Sequence, residues 1–200
     1  SFISTFGALG IYQSLSLIFS NAKPIGLNAK AINIMSILTK QIGPIKVIHG
    51  VGFLLFALFL IVQNHTVLGK YIFSIVNAEK ATRISGIKVD RVKILCFTFS
   101  GLSAGVAAIV IVSRMLSGDP TIGNSYLLMI IASVVVGGTA LSGGSGGIFN
   151  TLLGTYIIAM IGNGLNVAGI NVYYQMIITG IITMILVAFT LDKSKVKIVK

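Results

Sequence analysis

Apolar residues fall in six runs, at 2–20, 45–63, 94–112, 126–136, 148–164 and 172–191. A helix needs about 20 such residues to cross the hydrocarbon of a bilayer, so five of these runs have near-spanning length. The run Tyr126–Val136 has only eleven residues and leads straight into glycines, so it is expected to be a short or broken helix near 125–147. The first run carries Gln13 and several serines, so it is not expected to face lipid all round. Between the first two runs lies a polar connector with Lys23, Pro24, Lys30 and Lys40, whose middle, Leu27–Leu38, reads as a short interfacial helix. In the third run Gly101 and Gly105 stand four apart, a spacing that lets another helix approach closely. Met115–Asn124, with Asp119-Pro120, reads as a turn region. The expected fold class is all-α: a polytopic transmembrane helical bundle of about six membrane segments, forming one domain over 1–200. The chain opens at Ser1 almost directly into an apolar run with no signal-peptide pattern, and the expectation is that further N-terminal spans are missing.

The polar counterweight is the loop 64–93, and within it Asn77–Lys93, with two of the four acidic residues, Glu79 and Asp90, beside Lys80, Arg83, Lys88, Arg91 and Lys93. Asn77 is a candidate cap for a short helix, Glu79 suits the positive dipole of its first turn, and Gly86 is a natural left-handed stop. The pattern predicts about two turns of helix near 78–85. Such a helix between two spans is either a docking surface or a solvated loop whose cations fix topology.

Composition narrows the class. The chain is 55% hydrophobic, has only 10% charged residues and has a mean hydropathy of +0.99. Soluble domains carry about 25% charged residues, so this is an integral membrane protein. The net charge of +11 reflects lysines at membrane boundaries rather than a nucleic-acid footprint, since no basic patch interleaves with exposed aromatics. The loop 64–93 carries six basic residues and the tail carries Lys193, Lys195, Lys197 and Lys200, so both are expected on the cytoplasmic side. The lysine-bearing connector 21–46 then lies outside. Cys96, the single cysteine, can form no internal disulfide. His49 and His65 sit near span ends with no second ligand nearby, so no metal site is expected.

The segment 137–147 holds six glycines, Gly137, Gly138, Gly143, Gly144, Gly146 and Gly147. A phosphate-binding loop would need a Gly-Lys-Ser/Thr ending, which is absent, so ATP binding by this chain is not expected. Two readings stand: irregular backbone beside a translocation path, or a tight turn with close helix packing. No span carries a charge at its middle, which counts against an ion-coupled carrier. What remains within the spans is neutral and polar: Gln13, Asn150, Asn163, Asn166 and Gln175, with Tyr12, Tyr173 and Tyr174. Amides and phenols suit a neutral hydroxylated solute, and equally suit helix–helix hydrogen bonds. No nucleophile–base pairing supports an enzyme.

Three ordered motifs then carry a resemblance. Asn77-Ala-Glu-Lys-Ala-Thr-Arg-Ile-Ser-Gly-Ile87 resembles the cytoplasmic segment of ribose-type ABC importer permeases, and Val135–Gly147 is similar to that family's glycine-rich segment. Gly154 and Asn163-Gly-Leu-Asn166 continue the likeness, which covers essentially the whole chain and corresponds to the C-terminal two thirds of such permeases. Lys80-Ala81-Thr82-Arg83 departs from the family pattern, in which two small residues commonly precede the arginine. The resemblance implies a single transmembrane permease domain for import of a neutral, ribose-like sugar, with ATP bound by a partner and no cofactor here. Glu79, Ala81, Thr82, Arg83 and Gly86 would be the ATPase-coupling positions. The implied partners are a cytoplasmic ABC ATPase, a second permease subunit and an extracytoplasmic sugar-binding protein. Permeases for nucleosides or other solutes, and an ATPase-independent transporter or channel, are the alternatives.

Overall fold

The computed structural model describes residues 2–139 and 146–190. It contains α1 (Phe2–Ser20), β1 (Ile25–Gly26), α2 (Ala29–Thr39), β2 (Gln41–Ile42), β3 (Ile45–Lys46), α3 (Val47–His65), α4 (Val67–Ile84), α5 (Val89–Met115), β4 (Ser117–Gly118), α6 (Ile122–Val136), α7 (Ile148–Val167) and α8 (Val172–Thr190). The helices follow the apolar runs, as an all-α membrane bundle requires. Among the described residues α3, α5 and α7 are each long and apolar enough to cross a bilayer. With 15 residues α6 spans about 22 Å, short of the ~30 Å hydrocarbon thickness. The tail lysines lie outside the described residues.

The chain divides into two compact units, 1–59 with 88–125, and 60–87 with 126–200. In the first unit α2 packs along α5, and the connector before α2 is tied down by β1, which pairs antiparallel with β4 (Ile25 with Gly118, Gly26 with Ser117). Leu27 N–H adds a bond of 3.1 Å to Leu116 O. These two-residue ladders were not expected from the sequence, where the connector carries no strand-length apolar alternation. A second one, β2 with β3, closes over Gly43, whose φ of +65° a side chain would resist. The Phe59 and Phe99 rings meet edge to face with centroids 6.1 Å apart. At 27 residues α5 runs about 40 Å, so Lys88, Arg91 and Lys93 stand at one end and the β1–β4 ladder at the other. The described residues include few fully buried side chains, among them Val89, Val92 and Ser113 in this unit and Ala132, Ser133, Val135 and Ile158 in the other. Apolar side chains cover most of the surface, as a lipid solvent demands.

Two expectations are corrected. The segment 64–93 is mostly helix rather than loop: α4 starts at Val67 and α5 at Val89, ahead of the apolar run that begins at 94. The early start of α4 has a local cause, because the Thr66 hydroxyl accepts from Gly69 N–H at 3.3 Å and caps the helix. The expected close approach at Gly101 and Gly105 is not there either among the described residues, where a Cβ at either position would meet nothing within 4 Å.

The α5–α6 turn is built on Asp119, whose carboxylate accepts from Thr121 N–H at 2.8 Å and Thr121 Oγ1 at 2.7 Å. These bonds favour the charged form and hold the carboxyl below its ordinary value, the backbone bond more than the hydroxyl. A depressed value in the fold means that the turn is stabilised at neutral pH and loses that support as pH falls through the folded value. We expect the Asp119 carboxyl carbon to titrate by NMR below the ordinary ~3.9, the shift to shrink in Thr121→Val, which keeps the backbone bond, and to vanish in Thr121→Pro, which removes both bonds.

Candidate functional site

The charged segment is the clearest candidate. Within α4 the backbone breaks at Ala78, at φ −154° and ψ 78°, so Val67–Asn77 and Glu79–Ile84 are separate helical stretches. The expected short helix near 78–85 is therefore present, but the residue flanking it is Ala78 and not the candidate cap Asn77. Its end matches the glycine expectation: Ser85 is the cap, Gly86 follows at φ +83°, and Gly86 N–H bonds Arg83 O at 3.2 Å.

Around this last stretch the residues expected to couple to an ATPase divide by burial. Thr82 is buried, and its hydroxyl donates to Ala78 O at 2.9 Å. Glu79, Lys80, Ala81, Arg83 and Gly86 are exposed. Arg83 reaches Glu79 one turn back at 3.8 Å, an exposed pair that contributes little to stability. Thr82 thus marks the buried face of the helix, while its neighbours are exposed.

The glycine-rich segment forms a second centre, all of it in the second unit. Its front is the end of α6, where Gly138 takes φ +80°, Gly138 N–H bonds Val135 O at 2.8 Å and Thr139 N–H bonds Val134 O at 3.1 Å. This paired closure satisfies carbonyls that α6 leaves without an internal partner. Gly143 and Gly144 lie outside the described residues. At the far side Gly146, at φ +143°, lies against the Thr139 side chain, and Thr139 Oγ1 meets Thr151 Oγ1 at 3.4 Å. A Cβ on Gly154 would overlap Ser133 O and the backbone of Gly137, and a Cβ on Gly137 would overlap Asn150 O. The two glycines therefore let α6 and α7 touch backbone to backbone. Within the segment Gly137 serves close helix packing, whereas Gly138 and Gly146 take irregular, positive-φ backbone.

One residue of this centre was missed in the sequence. Gln63, near the end of α3, accepts from Ile148 N–H at 2.8 Å through Oε1 and so caps the start of α7. A Cβ on Gly147 would stand 3.3 Å from its Nε2. An amide at the end of an apolar run signalled a polar partner, but no spacing named one 85 residues away.

The candidate path residues are less gathered. Gln13 is half-buried on α1 in the first unit. On α7, Asn163 and Asn166 lie one turn apart and are exposed, while Asn150 is about 20 Å away on the first turn. Gln175 is engaged locally, donating from Nε2 to Ile170 O at 2.6 Å. Among the described residues no cluster of His, Cys, Asp and Glu could hold a metal ion.

Comparison with known proteins places these features in a family. The model of the family described as branched-chain amino acid transport system, permease component, matches residues 2–187. A probable ABC transporter permease of Escherichia coli K12 is 38% identical over 94% of this chain and 56% of its own length. The ribose import permease of Bacillus subtilis is 39% identical over 97% of this chain and 60% of its own length. The L-arabinose transport system permease of Escherichia coli K12 is 31% identical over 98% of this chain and 59% of its own. This chain thus spans 56–60% of the length of these curated relatives. No solved structure matches it.

Two variants test the packing centre. Gly154→Ala should destabilise the detergent-solubilised protein by about 1–3 kcal/mol, read as a lowered unfolding midpoint, because its Cβ must displace backbone. Gln63→Leu should speed hydrogen exchange at Ile148 by about fivefold or more, since a lost cap costs about 1 kcal/mol or above, while Gln63→Glu, which keeps the acceptor, should exchange as the native chain does.

Proposed function

Because this chain belongs to the permease-component family of branched-chain amino acid transport systems, we propose that it is a membrane permease part of an ATP-binding cassette importer for a neutral, ribose-like sugar. The sugar reading is supported by the ribose import permease, 39% identical over 97% of this chain, and by the more distant arabinose permease. The absence of mid-span charge in the sequence and the neutral amides on α7 suit the same solute class. An ATPase-independent carrier or channel is not favoured by these relatives.

The observation that carries the mechanism is the exposed, charged stretch Glu79–Ile84, set off from the rest of α4 by the break at Ala78. It is the docking element for a cytoplasmic ATPase that binds the nucleotide in place of this chain. ATP-driven closure of that partner moves the stretch, and the membrane helices shift between two packings of similar free energy. Both units then belong to one permease domain, working with a second permease subunit and an extracytoplasmic sugar-binding protein. The cations Lys88, Arg91 and Lys93 at one end of α5 set that end in the cytoplasm, with the β1–β4 ladder outside.

The test is uptake by the full-length permease assembled with its ATPase and binding protein in proteoliposomes. Labelled ribose should accumulate only when ATP is on the ATPase side. Accumulation of leucine instead would replace the solute, and ribose flux without ATP would overturn the importer reading. Arg83→Glu should lower ATP-dependent uptake about tenfold or more, by analogy with a lost charged interface contact, while the amount of protein inserted in the membrane stays at the native level.

A further inference from the structure

The six residues from Glu79 to Ile84 form little more than one helical turn and a half, and their burial shows which way it faces. Successive side chains are about 100° apart around a helix. Thr82, only 6% exposed, marks the face turned into the protein. Ile84, two positions on, lies about 160° around from it, and Lys80 is displaced by a similar angle on the other side. The outermost face of the stretch is therefore Lys80 and Ile84, with Ala81 and Arg83 at its flanks.

Ile84 is 87% exposed, more than Val167 at 84% and Phe19 at 81%, which sit at the ends of apolar helices. Its setting differs from theirs. It lies between Lys80 and Arg83 on one side and Lys88 and Arg91 on the other, in the most charged stretch of the chain. Lipid covers an exposed isoleucine in an apolar run, but a segment this charged stays in water. A large aliphatic side chain held in water on the outer face of this turn, with cations on both sides of it in the sequence, matches the anchor residues of protein interfaces: an apolar centre within a polar rim.

We infer that Ile84 is the apolar anchor of the docking helix and enters a hydrophobic socket with an acidic rim on the partner ATPase. This rests on the docking reading proposed above and adds to it the residue that carries most of the contact and the chemistry of the surface that receives it. Arg83 and Lys80 answer the acidic rim and steer the approach, whereas Ile84 holds the complex together. Thr82 positions the turn and does not touch the partner.

The experiment measures binding of the purified ATPase subunit to the full-length permease in nanodiscs. Ile84→Ser should weaken binding about tenfold or more, chiefly through faster dissociation. Ile84→Leu, which keeps the aliphatic volume, should stay within about threefold of native affinity and shows that the turn still forms. Native affinity in Ile84→Ser, with binding lost in Arg83→Glu, would overturn the anchor and leave the docking site standing. If the unaltered permease does not bind the ATPase, the docking reading itself fails. A fluorophore on Ile84→Cys supplies a second readout. Its emission should shift to the blue on addition of ATPase and be insensitive to spin-labelled lipid, and quenching by the lipid label would assign the side chain to the bilayer instead.

Discussion

Water is not available inside a bilayer to satisfy the backbone, and the described architecture follows from that constraint. A helix can cross because each N–H finds its own carbonyl, so the difficulty is concentrated at helix ends and at polar side chains. Both are resolved locally here. At the end of α6 the pair of bonds through Gly138 and Thr139 takes up the carbonyls of Val135 and Val134, and Gly169 and Ile170 do the same for Asn166 and Leu165 at the end of α7. Hydroxyls inside apolar helices turn back on their own turns: Thr98 to Ile94 O, Ser103 to Phe99 O, Ser113 to Val110 O and Ser133 to Met129 O. The start of α7 follows the same rule at longer range, with Gln63 supplying the acceptor.

The same constraint explains how helices attract one another without a hydrophobic drive. Lipid is as apolar as leucine, so contact must come from close packing, and small residues make it possible. At Gly154 and Gly137 the backbones of α6 and α7 meet with no room for a methyl group. Gly69 does the same at the α3–α4 corner, where an added Cβ would overlap the carbonyls of Gln63 and Val62. Threonine serves both ends of this economy: Thr66 caps α4 and also donates to Val62 O at 2.6 Å, which fixes the corner that leads toward the charged stretch.

How much of this was legible depended on range. Hydropathy runs gave α1 and α8 nearly to the residue and α3 and α7 to within three residues, since the bilayer imposes a length on each. The short α6 was legible for the same reason, and Gly86 because only a left-handed residue suits that helix end. The early starts of α4 and α5 were hidden by charge: Lys70, Asp90, Arg91 and Lys93 read as loop, but a capped helix carries them through water without penalty. The break at Ala78 was hidden for a different reason, because alanine is the best helix former and nothing in its identity announces a kink. Gln63 with Ile148 and Gly137 with Gly154 join residues far apart in sequence, and spacing carries no information about such pairs. Equally, Gly101 and Gly105 have the right spacing for a close crossing, and among the described residues nothing lies within 4 Å of a Cβ at either.

A docking element must satisfy two opposed requirements. It has to be stiff, so that a push on its tip is not absorbed by fraying, and it has to be separable, so that the push is not resisted by the whole helix behind it. The stretch after Ala78, proposed above as a docking element, meets both. The left-handed Gly86 and the Ser85 N–H bond to Ala81 O close its end, and the Thr82 hydroxyl bond to Ala78 O ties its start. The single non-helical residue at Ala78 sets the stretch off from Val67–Asn77 while keeping the chain continuous. An unbroken α4 would couple any tilt of its tip to the Thr66–Gly69 corner at full length. With the break in place, two backbone torsions can take up part of the motion and the rest reaches the corner, where Gln63 holds the first N–H of α7. A displacement at the charged tip therefore has a covalent and hydrogen-bonded route to the glycine-packed α6–α7 pair, made wholly of residues within the second unit.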